Sequence, residues 1–590
     1  MASRASLDKA LGEARAGRIE VALRSVRAIV QRDRSDWEAV QVLAMLLADA
    51  GEFTQAIHHF GRVVAVAPNA APLRNNYANT LLSAGRPREA VEQWRAALAV
   101  DPSYLGAYLG LTNALVACGD ADAAVAAGRE GLDQRPDWPQ LEQNLANALE
   151  AAMRIDEAVA LLRECVARHP RDALVRSRYL QAINYIDLPL ADSVAEHRAF
   201  RECGEQAAAA LAATSPGRAR ASGAGLRLGI LSGDMRTHSV AYFALPLIER
   251  RGASVHLTIF STGHAKEGDA MRSRLCELAD EWVDLAAATD SAIAEAMAAR
   301  DLDVLIELGG HTSGGRLSAL TPKPAPLIIS AIGYPNSTGH RSVDARMVDS
   351  ITDPCSEPSQ CTEQLLRIDP CFLCYSPPPD APEPAMPLPE SPITFGSFNL
   401  ATKISPRCAR LWAQVLRTVP ESRLLLKSQA IADACARERL LAMLAEAGVA
   451  RARIDVIEPT ATLRDHLGCY ARMHIALDTL PYNGTTTTCE ALWMGVPVVT
   501  LLGDRHAARV GASLLHASSC AELVAATEAE FIARASALAA DIAQLAALRQ
   551  GLRARVAAST LCDQSAYAAR VIAAIESFDA ASRSSPRSSL

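Results

Sequence analysis

Prolines stand at 68, 102, 136 and 170, each 34 residues from the last. Ala56, Ala90, Ala124 and Ala158 keep the same step, twelve residues ahead of each proline. Gly51, Gly85 and Gly119 mark a turn inside each unit, and Phe60, Trp94, Gly128 and Leu162 take the core position of the helix that follows. One step back, Gly17, Ala22 and Val26 outline a fifth, degenerate unit. A unit this short cannot bury its apolar face alone, so it folds only by stacking on its neighbours.

A helix–turn–helix of this period, with small residues at the helix crossing and proline at the end, is the tetratricopeptide pattern. It predicts an all-α superhelix of about five units over residues 1–170, whose groove takes a protein or peptide segment. Trp37, Tyr77 and Trp138 are assigned to packing. After Pro170 the period lapses. Residues 172–186 and 191–214 read as helices and 215–225 as a Ser/Gly/Ala/Arg linker, giving a helical connector and linker over 171–222.

Beyond it, apolar runs at 226–231, 255–260, 281–285, 304–308 and 327–332 alternate with helical stretches, as expected of a mostly parallel sheet in a first lobe over 223–376. An apolar helix is expected from Tyr242. A Pro-rich linker, 377–392, leads to a second lobe over 393–578, with strands opening at Thr394 and at 423–427, 455–458, 474–477 and 497–501, and a helix starting within 505–509. Helices are expected to about Ala574 and a disordered tail over 579–590. Ligands of such sheets bind beyond the carboxyl ends of the strands. Those ends carry His238, then Gly309, Gly310, His311 and Thr312, then residues 333–339 with Tyr334 and Pro335.

The 590 residues exceed a single core. A mean hydropathy of +0.07, a net charge of −7 and a pI near 6.0 argue against a nucleic-acid or membrane-surface binder. Residues 1–18 lack a continuous apolar stretch, and no run of about 18 apolar residues occurs. Of fourteen cysteines only Cys371 and Cys374 form a CxxC, and no second pair completes a zinc site. All are read as reduced thiols in a cytoplasmic protein, with neither nucleic acid nor membrane as partner. The excess of Ala and Arg suits a high-GC bacterial genome.

The most informative stretch is 477–497, which ends an apolar strand, turns at Pro481–Gly484, presents Thr485, Thr486, Thr487 and Thr488, and opens a short helix stopped by Gly495 and Pro497. Free N–H groups, the positive end of the helix dipole and hydroxyl donors suit a phosphate. Glu490, about one turn into the helix, suits sugar hydroxyls beside it. That composes a nucleotide diphosphate site, against the plain alternative that the threonines merely cap a helix. Lys403 precedes Ser405 and Pro406, an N-cap and first helical residue, and so offers a second place for a phosphate or is a solvated lysine. Two Rossmann-like lobes without a carboxylate-rich metal motif point to an α/β glycosyltransferase of the two-lobed GT-B class.

The segments DMRTHSVAYF (234–243), ELGGHT (307–312), GYPNSTG (333–339), CFLCYSP (371–377), FGSFN (395–399) and the run from Pro481 to Pro497 together resemble the SPINDLY / O-GlcNAc transferase family of protein O-glycosyltransferases, over nearly the whole chain. The resemblance implies that Lys403 and the 485–488 threonines, with Asn483 and Gly484, hold the donor diphosphate without a metal or other cofactor. It also implies that Glu490 holds the ribose, that His466 stacks near the base, and that His238 is essential over the sugar. His311, Tyr334 and Pro335 are weaker candidates for the sugar pocket. Leu400 departs from both the animal enzymes and SPINDLY, Thr485 departs from the animal enzymes, and Thr485–Thr488 follow the SPINDLY form, so the donor stays open between UDP-GlcNAc and GDP-fucose. The implied activity is inverting transfer to Ser or Thr of a protein acceptor; homo-oligomerisation is left open. A non-catalytic repeat scaffold with inert lobes is the alternative, and donor hydrolysis without an acceptor a lesser one.

Overall fold

The computed structural model describes residues 2–203, 225–266, 268–387 and 391–584. They divide into two compact units, one of residues 1–165 with 433–437, the other of 166–432 and 438–590.

The first unit is an array of helix pairs: Ala2–Arg15 with Ile19–Arg32, Trp37–Asp49 with Phe53–Val66, Ala71–Ser83 with Pro87–Val100, Leu105–Cys118 with Ala121–Gln134, and Pro139–Ala151 with Ile155–Arg168. The turn inside each pair needs a left-handed residue. Gly17, Gly51, Gly85 and Gly119 supply it, with φ between 73° and 78°. At the fifth turn, 34 residues on, Met153 takes the same conformation with φ 58°. The periodic core positions are buried as expected, with Phe60 and Trp94 almost wholly enclosed. Trp94 lies so close to Gly110 that a Cβ there would meet its ring at 2.2 Å, and its indole N–H donates to Asn75. Tyr77 stacks on Phe60 at 5.9 Å, and Trp138 joins Tyr108 and Leu141 in a local core. Trp37 is half-buried, under the Arg62 guanidinium.

The second unit holds two parallel sheets. The first has β1 (Leu226–Ser232), β2 (Val255–Ser261), β3 (Glu281–Asp284), β4 (Val304–Glu307), β5 (Leu327–Ser330), β6 (Ala345–Val348) and β7 (Gln364–Arg367), in the order 3-2-1-4-5-6-7. The second has β8 (Thr394–Ser397), β9 (Arg423–Lys427), β10 (Ile454–Ile457), β11 (Ile475–Leu477), β12 (Val498–Leu501) and β13 (Val524–Ala525), in the order 10-9-8-11-12-13. Counted from its own first strand, each sheet begins 3-2-1-4-5-6, with every pair parallel. β4 and β5 are buried on both faces, which is why they read as apolar runs; β8 is as fully buried with the sequence Thr-Phe-Gly-Ser.

Three strands, β6, β7 and β13, lie outside the runs expected from sequence. β6 contains Arg346, buried because its guanidinium reaches the Tyr334 carbonyl and the Cys361 sulfur. The helix expected from Tyr242 spans Ser239–Arg250, three residues earlier, because His238 caps it. The connector forms helices Ala173–Ala182 and Leu190–Ala199, each followed by a 3-10 turn; residues 204–224, including most of the expected linker, lie outside the described residues. The last helix runs Gln564–Ser584, so 579–584 are helical rather than disordered: Ala580 and Ala581 favour helix, and no Gly or Pro intervenes before Pro586. The remaining tail lies outside the described residues. Among the described residues no single helix is long and apolar enough to cross a membrane.

A non-glycine residue in the left-handed region costs about 1–2 kcal/mol. Met153→Gly should therefore stabilise the repeat array by about 0.5–1 kcal/mol after the lost Met packing is subtracted, read as a higher urea midpoint for its transition. An unchanged or lower midpoint would contradict the strain.

Candidate active site

In each sheet the strand order reverses between the first and fourth strands, and a crevice opens beyond their carboxyl ends. In the first lobe these are β1 and β4, followed by residues 233–238 and 308–312. In the second they are β8 and β11, followed by 398–403 and 478–485. His238, His311, Lys403, residues 483–488 and Glu490 fall on these four loops or on the helices they open; His466 lies on the helix after β10, and Tyr334 and Pro335 on the loop after β5.

The loop after β11 is fastened from below. Asp478 is 1% exposed; its Oδ1 accepts from the N–H groups of Thr479 (2.8 Å) and Gly484 (2.7 Å), and its Oδ2 from the Thr500 hydroxyl (2.7 Å). Burial pushes its pKa up to about 6, against these bonds and the nearby Lys403 charge. Asn483 is wholly enclosed, its amide donating to the Thr479 carbonyl and its Oδ1 accepting from the Gly511 N–H. The Asn483 side chain and the Gly484 N–H, expected to face the donor, are thus spent on the loop itself. A Cβ on Gly484 would come within 2.8 Å of oxygens on Asn399, Thr487 and Thr488.

Lys403 ends the 3-10 turn Ala401–Lys403, just before the helix Pro406–Thr418 that Ser405 caps. Only 8% exposed, it is not a solvated lysine. Its Nζ donates to the Asn483 carbonyl at 2.9 Å and lies 3.6 Å over the Tyr482 ring. Burial lowers its pKa to about 8, with Asp478 opposing. The helix Thr486–Trp493 opens at Thr485, whose side chain makes no capping bond. The Thr487 hydroxyl donates to Asn399 and that of Thr488 to the Gly484 carbonyl. Thr485 and Thr486 are half-exposed. The four threonines therefore divide, two tied inward and two left at the surface of the helix start.

Glu490 follows on the inner face of that helix. Its Oε2 accepts from His466 Nε2 (3.1 Å) and the Tyr470 hydroxyl (3.2 Å), while Lys427 Nζ sits 2.7 Å from His466 Nδ1. An ammonium can only donate, so Nδ1 is the acceptor and Nε2 carries the proton given to Glu490. Sequence reasoning missed Lys427, whose one signal is a charge at the end of the apolar run Arg423–Lys427. Phe398, Leu400, Lys427, Thr460, Leu463 and His466 line a cavity of about 330 Å³, with Leu400 53% exposed at its edge.

In the first lobe, His238 caps the helix Ser239–Arg250. Its Nδ1 accepts the Val240 N–H at 3.3 Å and lies 3.5 Å from Asp234 Oδ2. Burial holds its pKa below the usual 6.5, against the pull of Asp234. While Nδ1 caps the helix, the neutral ring presents Nε2–H. Tyr242, one turn further, has its pKa raised by burial and by the Glu490 charge facing it from the second lobe. The described residues hold no group of three or more His, Cys, Asp or Glu side chains arranged for a metal.

His311 and Tyr334 are not pocket walls. His311 Nδ1 pairs with the Ser177 hydroxyl (2.8 Å) and its Nε2 with the Thr338 carbonyl (2.7 Å). The Tyr334 hydroxyl meets His197 Nε2 (2.7 Å) and the Asn184 amide (3.1 Å), and Pro335 is buried beside them. The partners come from the connector, whose helices were not expected to pack here. Burial lowers His311 to about 3 and His197 to about 4. As pH falls below 6.5 the unfolded chain binds protons that the folded one refuses, so stability present at neutrality is lost towards pH 4. The unfolding midpoint of this unit should fall over that window, and less steeply in His311→Gln; equal slopes would contradict the role of burial.

A family model described as glycosyl transferase family 41 matches residues 209–375 and 384–571, more than half of the chain. The chain belongs to glycosyl transferase family 41. A tetratricopeptide-repeat model matches residues 81–143. A rice protein (Oryza sativa subsp. japonica) named probable UDP-N-acetylglucosamine–peptide N-acetylglucosaminyltransferase SPINDLY is 36% identical over 406 residues, 68% of this chain and 44% of that protein. Its Arabidopsis thaliana namesake is 38% identical over 352 residues, 58% of this chain and 38% of that protein. The chain thus spans less than half the length of these curated relatives. A solved lysine-to-methionine variant of Thermobaculum terrenum O-GlcNAc transferase matches with TM-score 0.79 and 29% identity, over 87% of this chain and 98% of that one. Tetratricopeptide repeats followed by a GT-B fold, as expected from the sequence, are the architecture of this family 41 chain.

Proposed function

We propose that this family 41 protein transfers a sugar from a nucleoside diphosphate donor to a Ser or Thr hydroxyl of a protein, with inversion and without a metal or other cofactor. The observation that carries the reading is Lys403: a buried ammonium that donates to the Asn483 carbonyl, beside a helix start where Thr485 and Thr486 are half-exposed. A diphosphate there would meet a cation and N–H donors together, and the charge that develops as it leaves would be balanced by them.

In this reading Glu490, oriented by His466 and Tyr470, keeps Oε1 for ribose hydroxyls, and the cavity edged by Phe398, Leu400 and His466 takes the nucleobase. The names of the rice and Arabidopsis relatives favour UDP-GlcNAc, and GDP-fucose remains the competing donor. The acceptor oxygen attacks the anomeric carbon, the bond to the diphosphate breaks, and the hydroxyl proton leaves to a base. His238 could take that proton at Nε2 only after Nδ1 exchanges its cap for a bond to Asp234. In its present state it donates from Nε2 to the sugar or leaving oxygens.

The repeats would recruit the acceptor. Asn79, Asn113 and Asn147 recur every 34 residues on the first helices of three successive pairs, all exposed, and an amide offers the donor and acceptor that a peptide backbone needs. No disulfide is formed among the described residues, which supports a cytoplasmic setting.

Lys403→Met keeps the volume and removes the charge. It should lower transfer to protein acceptors by about 100-fold or more while leaving the melting temperature within a few degrees. Undiminished turnover in a radiolabelled-sugar assay would remove Lys403 from the diphosphate site.

A further inference from the structure

We propose that Tyr185, in the segment that follows the repeats, is a positioning residue for Lys403, acting through Tyr482. The idea rests on the reading of Lys403 as the residue that faces the donor. Tyr185 ends the 3-10 turn Ile183–Tyr185, and its ring stacks on that of Tyr482, with centroids 5.8 Å apart and planes 26° from parallel. The Tyr482 ring is the one that Lys403 Nζ overlies at 3.6 Å. A single aromatic face system therefore runs from the connector to the buried ammonium, next to the carbonyl of Asn483 that Nζ also reaches.

The connector is anchored so that this stack has a fixed position. Asn184, immediately before Tyr185, is buried; its amide donates to the Leu180 carbonyl (2.8 Å) and the Tyr334 hydroxyl (3.1 Å), and its Oδ1 accepts from the Asn336 amide (3.2 Å). Three residues after Tyr185, the Leu188 carbonyl accepts from Arg505 Nη2 at 2.7 Å. Residues 184–188 are thus tied to the first-lobe loop after β5 on one side and to the second-lobe loop after β12 on the other. Tyr185 is the point where this brace touches the donor loop.

A cation over an aromatic face is held only while the ring keeps its orientation and water stays out. Tyr482 is half-buried; Tyr185 covers it, and without that cover the ring is free to turn and the ammonium to hydrate. The contact to Tyr482 is made by the ring face, so phenylalanine should serve as well at position 185.

The test is chemical labelling of the full-length protein with an amine-reactive reagent, read residue by residue by mass spectrometry, with exposed Lys9 as the internal reference. Lys403 should be protected in the native protein and in Tyr185→Phe, and should label at least about fivefold faster in Tyr185→Ala. Tyr185→Leu, which fills the space without an aromatic face, should also lose protection and stands in if the alanine variant does not fold. Equal protection in Tyr185→Ala and the native protein overturns the proposal, as does loss of protection in Tyr185→Phe. The kcat for sugar transfer separates the two readings. A fall in kcat that tracks the lost protection, with Tyr185→Phe unaffected, supports both. Lost protection with unchanged kcat upholds the positioning link and removes Lys403 from the chemistry.

Discussion

The loop after β11 depends on one buried carboxylate. Asp478 lies beneath it with the N–H groups of Thr479 and Gly484 and the hydroxyl of Thr500 directed at its two oxygens. Removing a carboxylate from water is expensive unless donors replace the solvent, and three do. Because Gly484 is held by its N–H, the chain can leave it only towards Thr485 and the helix from Thr486. Because Asn483 is locked by its own side chain, its carbonyl is left facing Lys403. Gly511 permits the arrangement, since a Cβ there would meet Asp478 Oδ2 at 2.3 Å. The place of the ammonium and the start of the threonine helix thus follow from one ion and its neighbours.

Much of the fold was legible, for reasons that can be named. The 34-residue step survives in sequence because each turn needs a left-handed residue and each helix crossing a small one. Met153 was hidden because strain leaves no compositional trace. β4 and β5, buried on both faces, announced themselves as apolar runs. β6 did not, because Arg346 is buried by partners supplied from loops elsewhere in the lobe. Lys403, Glu490 and the threonines were visible because each lies at or within a turn of a strand end or helix start that local pattern marks, whereas His466 was reached only through the family resemblance. The link from Lys427 to His466, the division of the threonines and the inward turn of Asn483 depend on residues far apart in sequence, and no local pattern carries them.

The connector is the clearest case of function hidden from sequence. Its residues read as a spacer, yet Ser177, Asn184 and His197 complete the hydrogen bonds of His311 and Tyr334. Both rings would otherwise bury polar atoms without partners, and motif resemblance alone suggested that they line a sugar pocket. They hold the first-lobe loops in place, while His238, in the loop after β1, spends Nδ1 on the helix cap and stays part-exposed. The first lobe thus offers a neutral, adaptable donor or acceptor, and the second a fixed cation and helix end.

The central claim is that the crevice recognises a diphosphate through Lys403 and the helix beginning at Thr486, without a metal. It is tested most directly by calorimetric titration of the native protein with UDP, UMP, GDP and GMP in the presence of EDTA. The account predicts that one diphosphate binds and that its monophosphate binds at least about tenfold more weakly, the loss of a charge-assisted contact worth about 1.4 kcal/mol or more. Equal affinity for the diphosphate and monophosphate, or binding only after a divalent cation is restored, would contradict it.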